Sequence, residues 1–196
     1  NVPVPGGTTA HAVGGALLAI LIGPYAASLA LSVALILQAF LFGDGGILAL
    51  GANIFNMAVA MPFIGYGIYS WFRKHHHESL GVIVGSYVAI NAAALLTGIE
   101  LGLQPLIASE AGQPLYNPYG LEVTIPAMMA AHLVVAGWVE AFFTYVIYRF
   151  VKQVAPSELY TPSSKNTTSF VKKIRWVLLG LIVLSPLGLL AEGTAF

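Results

Sequence analysis

The chain has 196 residues, 58% of them apolar and 8% charged, with a mean hydropathy of +0.83. Soluble domains carry about a quarter charged residues, so the composition is that of a membrane protein. The 8 Lys+Arg and 8 Asp+Glu cancel, which excludes the basic surface that a nucleic-acid partner requires. With no cysteine, disulfide frameworks, Cys-ligated zinc and iron–sulfur clusters are excluded as well.

Apolar segments bounded by Gly, Pro and charge predict an all-α polytopic membrane bundle of about six helices in the lipid bilayer. The chain opens on a Pro-, Gly- and Thr-rich stretch that ends at His11-Ala-Val-Gly-Gly15. It carries no initiator Met and no signal-peptide pattern, so it is expected to be a piece of a longer protein that begins inside a loop. The first helix is predicted near Ala10–Ile22, ending at Gly23-Pro24. The second covers about Pro24–Phe42, with its proline in the tolerated first turn. Gly43-Asp44-Gly45-Gly46 breaks the chain before a third helix at about Asn53–Phe72. A fourth is predicted at about Leu80–Leu103, followed by a polar loop with Pro105, Gly112, Pro114, Pro118 and Gly120 as breakers. The fifth, about Ile125–Val154, exceeds a simple span and is expected to tilt or project into water. Residues 1–155 then form a membrane bundle, 156–173 a linker and 174–196 an additional transmembrane helix.

Charge sets the orientation. Arg73 and Lys74 follow the third helix, and Arg149, Lys152, Lys165, Lys172, Lys173 and Arg175 lie between the fifth and sixth. Alternating spans put both groups on one side, which the positive-inside rule makes cytoplasmic. The His11 stretch, Asp44, Glu110 and Glu122 then face outward.

Several polar residues are candidates for chemistry. His11 sits where irregular backbone gives way to apolar helix, and such backbone is tolerated at membrane depth only where protein buries it or a cavity meets it. A neutral imidazole there suits borderline-soft divalent metals, or it merely caps the helix. His132, about two turns into the fifth helix, is either a ligand or an interhelical hydrogen-bond partner. Asn53 and Asn56 lie one turn apart at the outer start of the third helix and are expected to support a site at the same depth. Glu140 is about 12 Å deeper than His132 and a quarter turn away, so it is expected to pair structurally, with Asn91 or Gln38, or to take part in a proton relay. Glu100 reads as an interfacial carboxylate at the outer end of the fourth helix. His75-His76-His77 falls in the cytoplasmic turn beside Arg73 and Lys74, where basic neighbours repel a cation. Met57, Met61, Met128 and Met129 read as core packing.

Three stretches resemble the CbiM/NikM family, the substrate-binding membrane subunits of energy-coupling-factor transporters for cobalt and nickel. They are Pro3-Val-Pro-Gly-Gly-Thr-Thr-Ala-His11, Leu17-Leu-Ala-Ile-Leu-Ile-Gly-Pro-Tyr25 and Phe42-Gly-Asp-Gly-Gly-Ile-Leu-Ala-Leu-Gly-Ala-Asn-Ile-Phe-Asn-Met57. The match is dense over the first third and looser to Val154. The resemblance implies metal held by nitrogen atoms: the amine and imidazole of a Met-His start, and a second histidine that His11 matches. Nothing here matches the Met-His start, which lies at the very N-terminus in the family, or the two helices that precede the second histidine, so this stretch by itself would not form the complete site. The resemblance also implies transported Co²⁺ or Ni²⁺ with no resident cofactor, in a multi-pass protein of the prokaryotic cell membrane. Its implied partners are a transmembrane coupling subunit, two ATPase subunits and a small accessory membrane subunit. No phosphate-cradling Gly-x4-Gly-Lys-Ser/Thr motif occurs, so the chain is read as no enzyme, with ATP hydrolysis on partners. Small-residue ridges at Gly15, Ala19 and Gly23 and at Ala26, Ala30 and Ala34 allow close helix approach, within the bundle or against the coupling subunit. The rival reading is a self-sufficient ion-coupled transporter or channel that uses His132 and Glu140.

Overall fold

The computed structural model describes residues 12–162 in full, together with the backbone of Val2–Val4 and Thr8–Ala10. His11, most of the expected linker and the expected sixth helix lie outside the described residues. Among the described residues the protein is all-α apart from two short antiparallel hairpins. The first pairs β1 (Val2–Val4) with β2 (Thr8–Ala10), Pro3 opposite Thr9. The second pairs β3 (Ser109–Glu110) with β4 (Gln113–Pro114). Its turn residues Ala111 and Gly112 both have positive φ, 51° and 79°, the conformation that matches strand twist in a two-residue hairpin.

The helices are α1 (Gly15–Ile22), α2 (Pro24–Leu37), α3 (Leu50–Asn53), α4 (Met61–Lys74), α5 (Glu78–Ile107), α6 (Leu121–Ala131) and α7 (Gly137–Val154). Single π-helical turns extend or join them: Gln38–Phe42 after α2, Ile54–Ala60 between α3 and α4, and His132–Ala136 between α6 and α7. Three of the resulting rods are long and apolar enough to cross a membrane: Pro24–Phe42, Glu78–Ile107 and Leu121–Val154. Each of the first five predicted helices has a counterpart; α3 and α6 start about a turn early, and two further boundaries are displaced for reasons the backbone shows.

The first displacement is at α1, which starts at Gly15 rather than Ala10 and has only 8 residues. Gly14 adopts φ +76°, a left-handed conformation that ends any helical run from the N-terminal side. The second is at α5, which runs through Pro105 to Ile107. A helical proline removes the N–H that would bond the carbonyl four residues earlier. Here that carbonyl belongs to Leu101, and the Asn117 side-chain amide donates to it at 2.8 Å.

Small residues bring α1, α4 and α5 close together, as helix interfaces in lipid require. A Cβ on Gly65 would lie 2.7 Å from Ala16 Cβ, and one on Gly85 would lie 2.8 Å from the Gly65 carbonyl oxygen. One buried cluster gathers Ala16, Met61, Ala89, Ile90 and Met128; a second gathers Ile20, Tyr69, Val82 and Tyr148. The ridge Gly15, Ala19 and Gly23 belongs to this interior. Ala19 is fully buried, Gly15 faces Met61, and Gly23 lies under the Tyr160 ring. That ridge therefore offers no open face to a partner. Ala30 and Ala34 of the other ridge are exposed, and Ala26 is half-buried. Large apolar side chains, Phe40, Leu41, Trp138, Phe142 and Phe150 among them, also point outward, the arrangement expected of a lipid-facing surface.

Candidate functional site

Because α1 is so short, the loop before it cannot lie at the edge of the bundle. The Val13 N–H donates to Glu140 Oε2 at 2.9 Å, and the Gly14 N–H donates to Oε1 and Oε2 at 3.0 and 3.1 Å. Glu140 stands 14 residues (154 − 140) from the end of α7, about 21 Å along the axis. Val13 and Gly14, which precede α1, therefore lie near mid-depth of the bundle. No water can satisfy loop amides there, and the buried carboxylate takes that role. Neither expected partner of Glu140 is used: Asn91 donates to the Tyr87 carbonyl, and Gln38 borders a cavity elsewhere.

That cavity, about 410 Å³, begins at Val13 and Met61 and runs outward between α2, α3, α5 and α6 to Asp44 and Gly45. Along α5 it extends from Ile90 to Leu101, about 16 Å of helix. Each of the three π turns gives it a wall residue: Gln38, Met57 and His132. A π turn inserts one extra residue into an α-helix and re-aims every side chain beyond it, and such turns concentrate at functional sites. In a regular helix His132 and Glu140 would differ by about 80°. Removing the inserted residue from the count leaves about 20°, so both face inward, at 6% and 2% exposure.

The imidazole of His132 has a defined proton. Its Nδ1 lies 2.8 Å from the Met128 carbonyl oxygen, which can only accept, so Nδ1 carries the hydrogen. Nε2 of the neutral ring keeps its lone pair. A backbone carbonyl that fixes one ring nitrogen is the usual arrangement behind a histidine that uses the other. Thr97, Met57, Met61 and Met128 line the same space, so the cavity offers one imidazole, a hydroxyl and thioether sulfurs.

The two asparagines part company. Asn53 lines the cavity, and its amide donates to the Gly45 carbonyl at 3.0 Å, holding the Gly43–Gly46 turn against it. Asn56 is buried between the π turn and α5, donating to Glu100 Oε2 at 2.6 Å and, at 3.1 Å, to Oγ1 of Thr97, which lines the cavity. Glu100 is accordingly half-buried and paired, not the free interfacial carboxylate that its sequence position suggests. His75, His76 and His77 occupy the turn after α4, remote from the cavity, with His75 against Trp71 at 4.7 Å. The described residues contain no group of three or more His, Asp or Glu side chains able to hold a metal among themselves.

Sequence reasoning missed the π turns and the seat of Glu140. The available signal was a carboxylate inside an apolar span with no basic residue on any neighbouring span. Such a group must find donors, and irregular backbone nearby has unpaired amides to offer.

A family model described as "CbiM: Cobalt uptake substrate-specific transmembrane region" matches residues 1–158. The "Probable fused nickel transport protein LarMN" of Lactiplantibacillus plantarum is 63% identical over 100% of this chain and 59% of its own length. The fused nickel transport protein NikMN of Rhodobacter capsulatus is 43% identical over 100% of this chain and 58% of its own. The chain thus spans under two thirds of each of these fused relatives. The crystal structure of a truncated transition metal transporter superposes with a TM-score of 0.75 at 59% identity, over 78% of this chain and 72% of that one. The family model spans most of the chain and the fold superposes on that of a solved transporter: the chain belongs to the CbiM family.

Proposed function

We propose that this chain is the substrate-capture membrane subunit of an ATP-driven energy-coupling-factor importer of Co²⁺ or Ni²⁺. The observation that carries the reading is the cavity that starts at Val13, two residues after His11, and is lined by His132, whose Nε2 keeps its lone pair. Cargo is captured from the outer side by nitrogen ligands around His11, with Asn53 fixing the cavity mouth. Reorientation driven by ATPases elsewhere then releases the ion inside. The transported ions of LarMN and NikMN, named as nickel, and of the cobalt transport protein CbiM of Lachnoclostridium phytofermentans, 39% identical over 53% of this chain, support that pair of metals. Both metals accept imidazole and amine nitrogen, and geometry rather than affinity separates them. The partners are a transmembrane coupling subunit, two ATPase subunits and a small accessory membrane subunit, with Ala26, Ala30 and Ala34 forming the docking ridge. The bundle reads as six spans, with a cytoplasmic linker at 156–173 and a further helix at 174–196. The rival proton relay through His132 and Glu140 meets a carboxylate whose two oxygens already accept loop amides.

Calorimetric titration of the full-length protein with Co²⁺ and Ni²⁺ tests the reading. Submicromolar binding of at least one ion is expected, lost in His11→Ala with the fold intact. Unchanged affinity in that variant removes His11 from the site. On the same preparations, Ala30→Leu should retain metal binding but lose co-purification with the coupling subunit; a normal complex would eliminate the ridge as a docking face.

A further inference from the structure

We infer that Glu140 is a positioning residue for cargo binding: its carboxylate fixes the backbone that delivers His11. The inference rests on the proposed metal-capture function but concerns a residue outside the ligand set. Both Glu140 oxygens face the loop, taking the Val13 N–H at 2.9 Å and the Gly14 N–H at 3.0 and 3.1 Å. Val13 is two residues after His11, so these bonds set the direction in which the chain reaches it. The contact joins positions 127 and 126 residues apart in sequence, and no nearer element supplies an alternative acceptor to these two amides among the described residues. The carboxylate has no cationic partner among the described residues, whose one ion pair is Lys152–Glu78 at the start of α5. Its oxygens are satisfied by backbone amides at the start of α1, where acceptors are favoured.

The local sequence is arranged for this contact. The π turn His132–Ala136 rotates Glu140 to the interior. Gly137 lets that turn pack closely, since a Cβ there would lie 2.7 Å from Asn91 Nδ2 and 2.8 Å from the Tyr87 ring. Gly14 supplies the left-handed φ of +76° that brings the amide toward the carboxylate. A group that accepts two amides acts through geometry. A proton carrier or a cation-attracting charge would act through ionisation. Glutamine separates the two: its carbonyl oxygen at the Oε2 position still accepts from both amides at 2.9 and 3.1 Å, while its NH2 at the Oε1 position, 3.0 Å from the Gly14 N–H, must turn aside at a modest cost.

The experiment compares full-length parent, Glu140→Gln and Glu140→Ala by Ni²⁺ and Co²⁺ titration, by the visible ligand-field spectrum of the Co²⁺ form, and by hydrogen exchange of metal-free protein. Positioning predicts an affinity in Glu140→Gln within about tenfold of the parent, the loss reflecting the displaced NH2. In Glu140→Ala it predicts affinity at least tenfold weaker and a shifted Co²⁺ spectrum, with exchange faster at Val13 and Gly14 but unchanged along α4 and α5. Glu140→Ala with parental affinity and spectrum overturns the inference. So does a Glu140→Gln as weak as Glu140→Ala, which assigns the role to charge. Should Glu140→Ala fail to fold, Glu140→Gln decides by the same affinity criterion. A parent that binds neither ion sinks the capture reading itself, and with it the cargo role of Glu140. A parent that binds while both variants match it sinks the positioning role alone.

Discussion

Gly65 and Gly67 sit two positions apart on α4 and have opposite fates. A Cβ at Gly65 would lie 2.7 Å from Ala16 Cβ and 3.3 Å from Ala89 Cβ, whereas a Cβ at Gly67 would meet nothing within 4 Å. Gly65→Ala therefore forces α1 and α5 away from α4 and should cost about 1–3 kcal/mol, the usual penalty of overpacking. Gly67→Ala removes backbone freedom from the unfolded chain without a clash and should be neutral or stabilising by up to about 1 kcal/mol. Thermal unfolding in detergent checks both, and a Gly65→Ala protein as stable as the parent would place the α1–α4 contact elsewhere. Sequence alone ranks these two glycines as equals, because the difference lies in which neighbour stands opposite. The same holds for Asn117. Its role in capping the Leu101 carbonyl exists only because Pro105 is inside α5.

At the scale of elements, hydropathy and breakers locate the rods because burial in lipid demands long apolar runs, and that demand is written locally. The π turns are not legible in that way. One inserted residue changes neither composition nor mean hydropathy, yet it decides which side chains face the cavity. The turn His132–Ala136 gives a direct test. Val134 lies in it and is 71% exposed, so deleting it removes no core contact. The deletion should convert the π turn to regular α-helix and leave Glu140 within about 20° of His132, as the π turn does now. Glu140 would then keep the loop. Helical content by circular dichroism should stay within a few per cent of the parent, and exchange at Val13 and Gly14 should stay slow. Faster exchange of those two amides would show that the π turn does not act as one inserted residue in setting the Glu140 direction. The sequence pattern over-extends α1 for a related reason. Nothing in Ala10–Gly14 announces that its amides are claimed by a residue more than 120 positions away.

Among the described residues the basic side chains Arg73, Lys74, Arg149 and Lys152 gather at one end of the bundle. Arg73 donates to the Tyr160 carbonyl at 3.2 Å, Tyr160 N–H reaches the Ile20 carbonyl at 3.1 Å, and Lys152 pairs with Glu78, which also accepts the Tyr148 hydroxyl at 2.7 Å. These contacts tie the ends of α1, α4 and α7 and the start of α5 into one polar layer. The cavity runs toward the opposite end, where Asp44 stands among exposed residues. The positive-inside rule reads the Lys- and Arg-bearing layer as cytoplasmic, and that choice makes the cavity an outward-facing entrance. Cysteines introduced singly at Asp44 and Lys152 put the two ends to the test in intact cells with a membrane-impermeant maleimide. Asp44→Cys should be labelled in intact cells and Lys152→Cys only after permeabilisation. Neither position touches the Val13–Glu140 contact, so metal binding should survive in Asp44→Cys. Lys152→Cys loses the pairing with Glu78, an interaction at 47% and 33% side-chain exposure that is expected to contribute at most about 1 kcal/mol. Labelling of Lys152→Cys alone would invert the protein in the membrane. The cavity would then open to the cytoplasm, and the capture step would have to be rewritten as a release step.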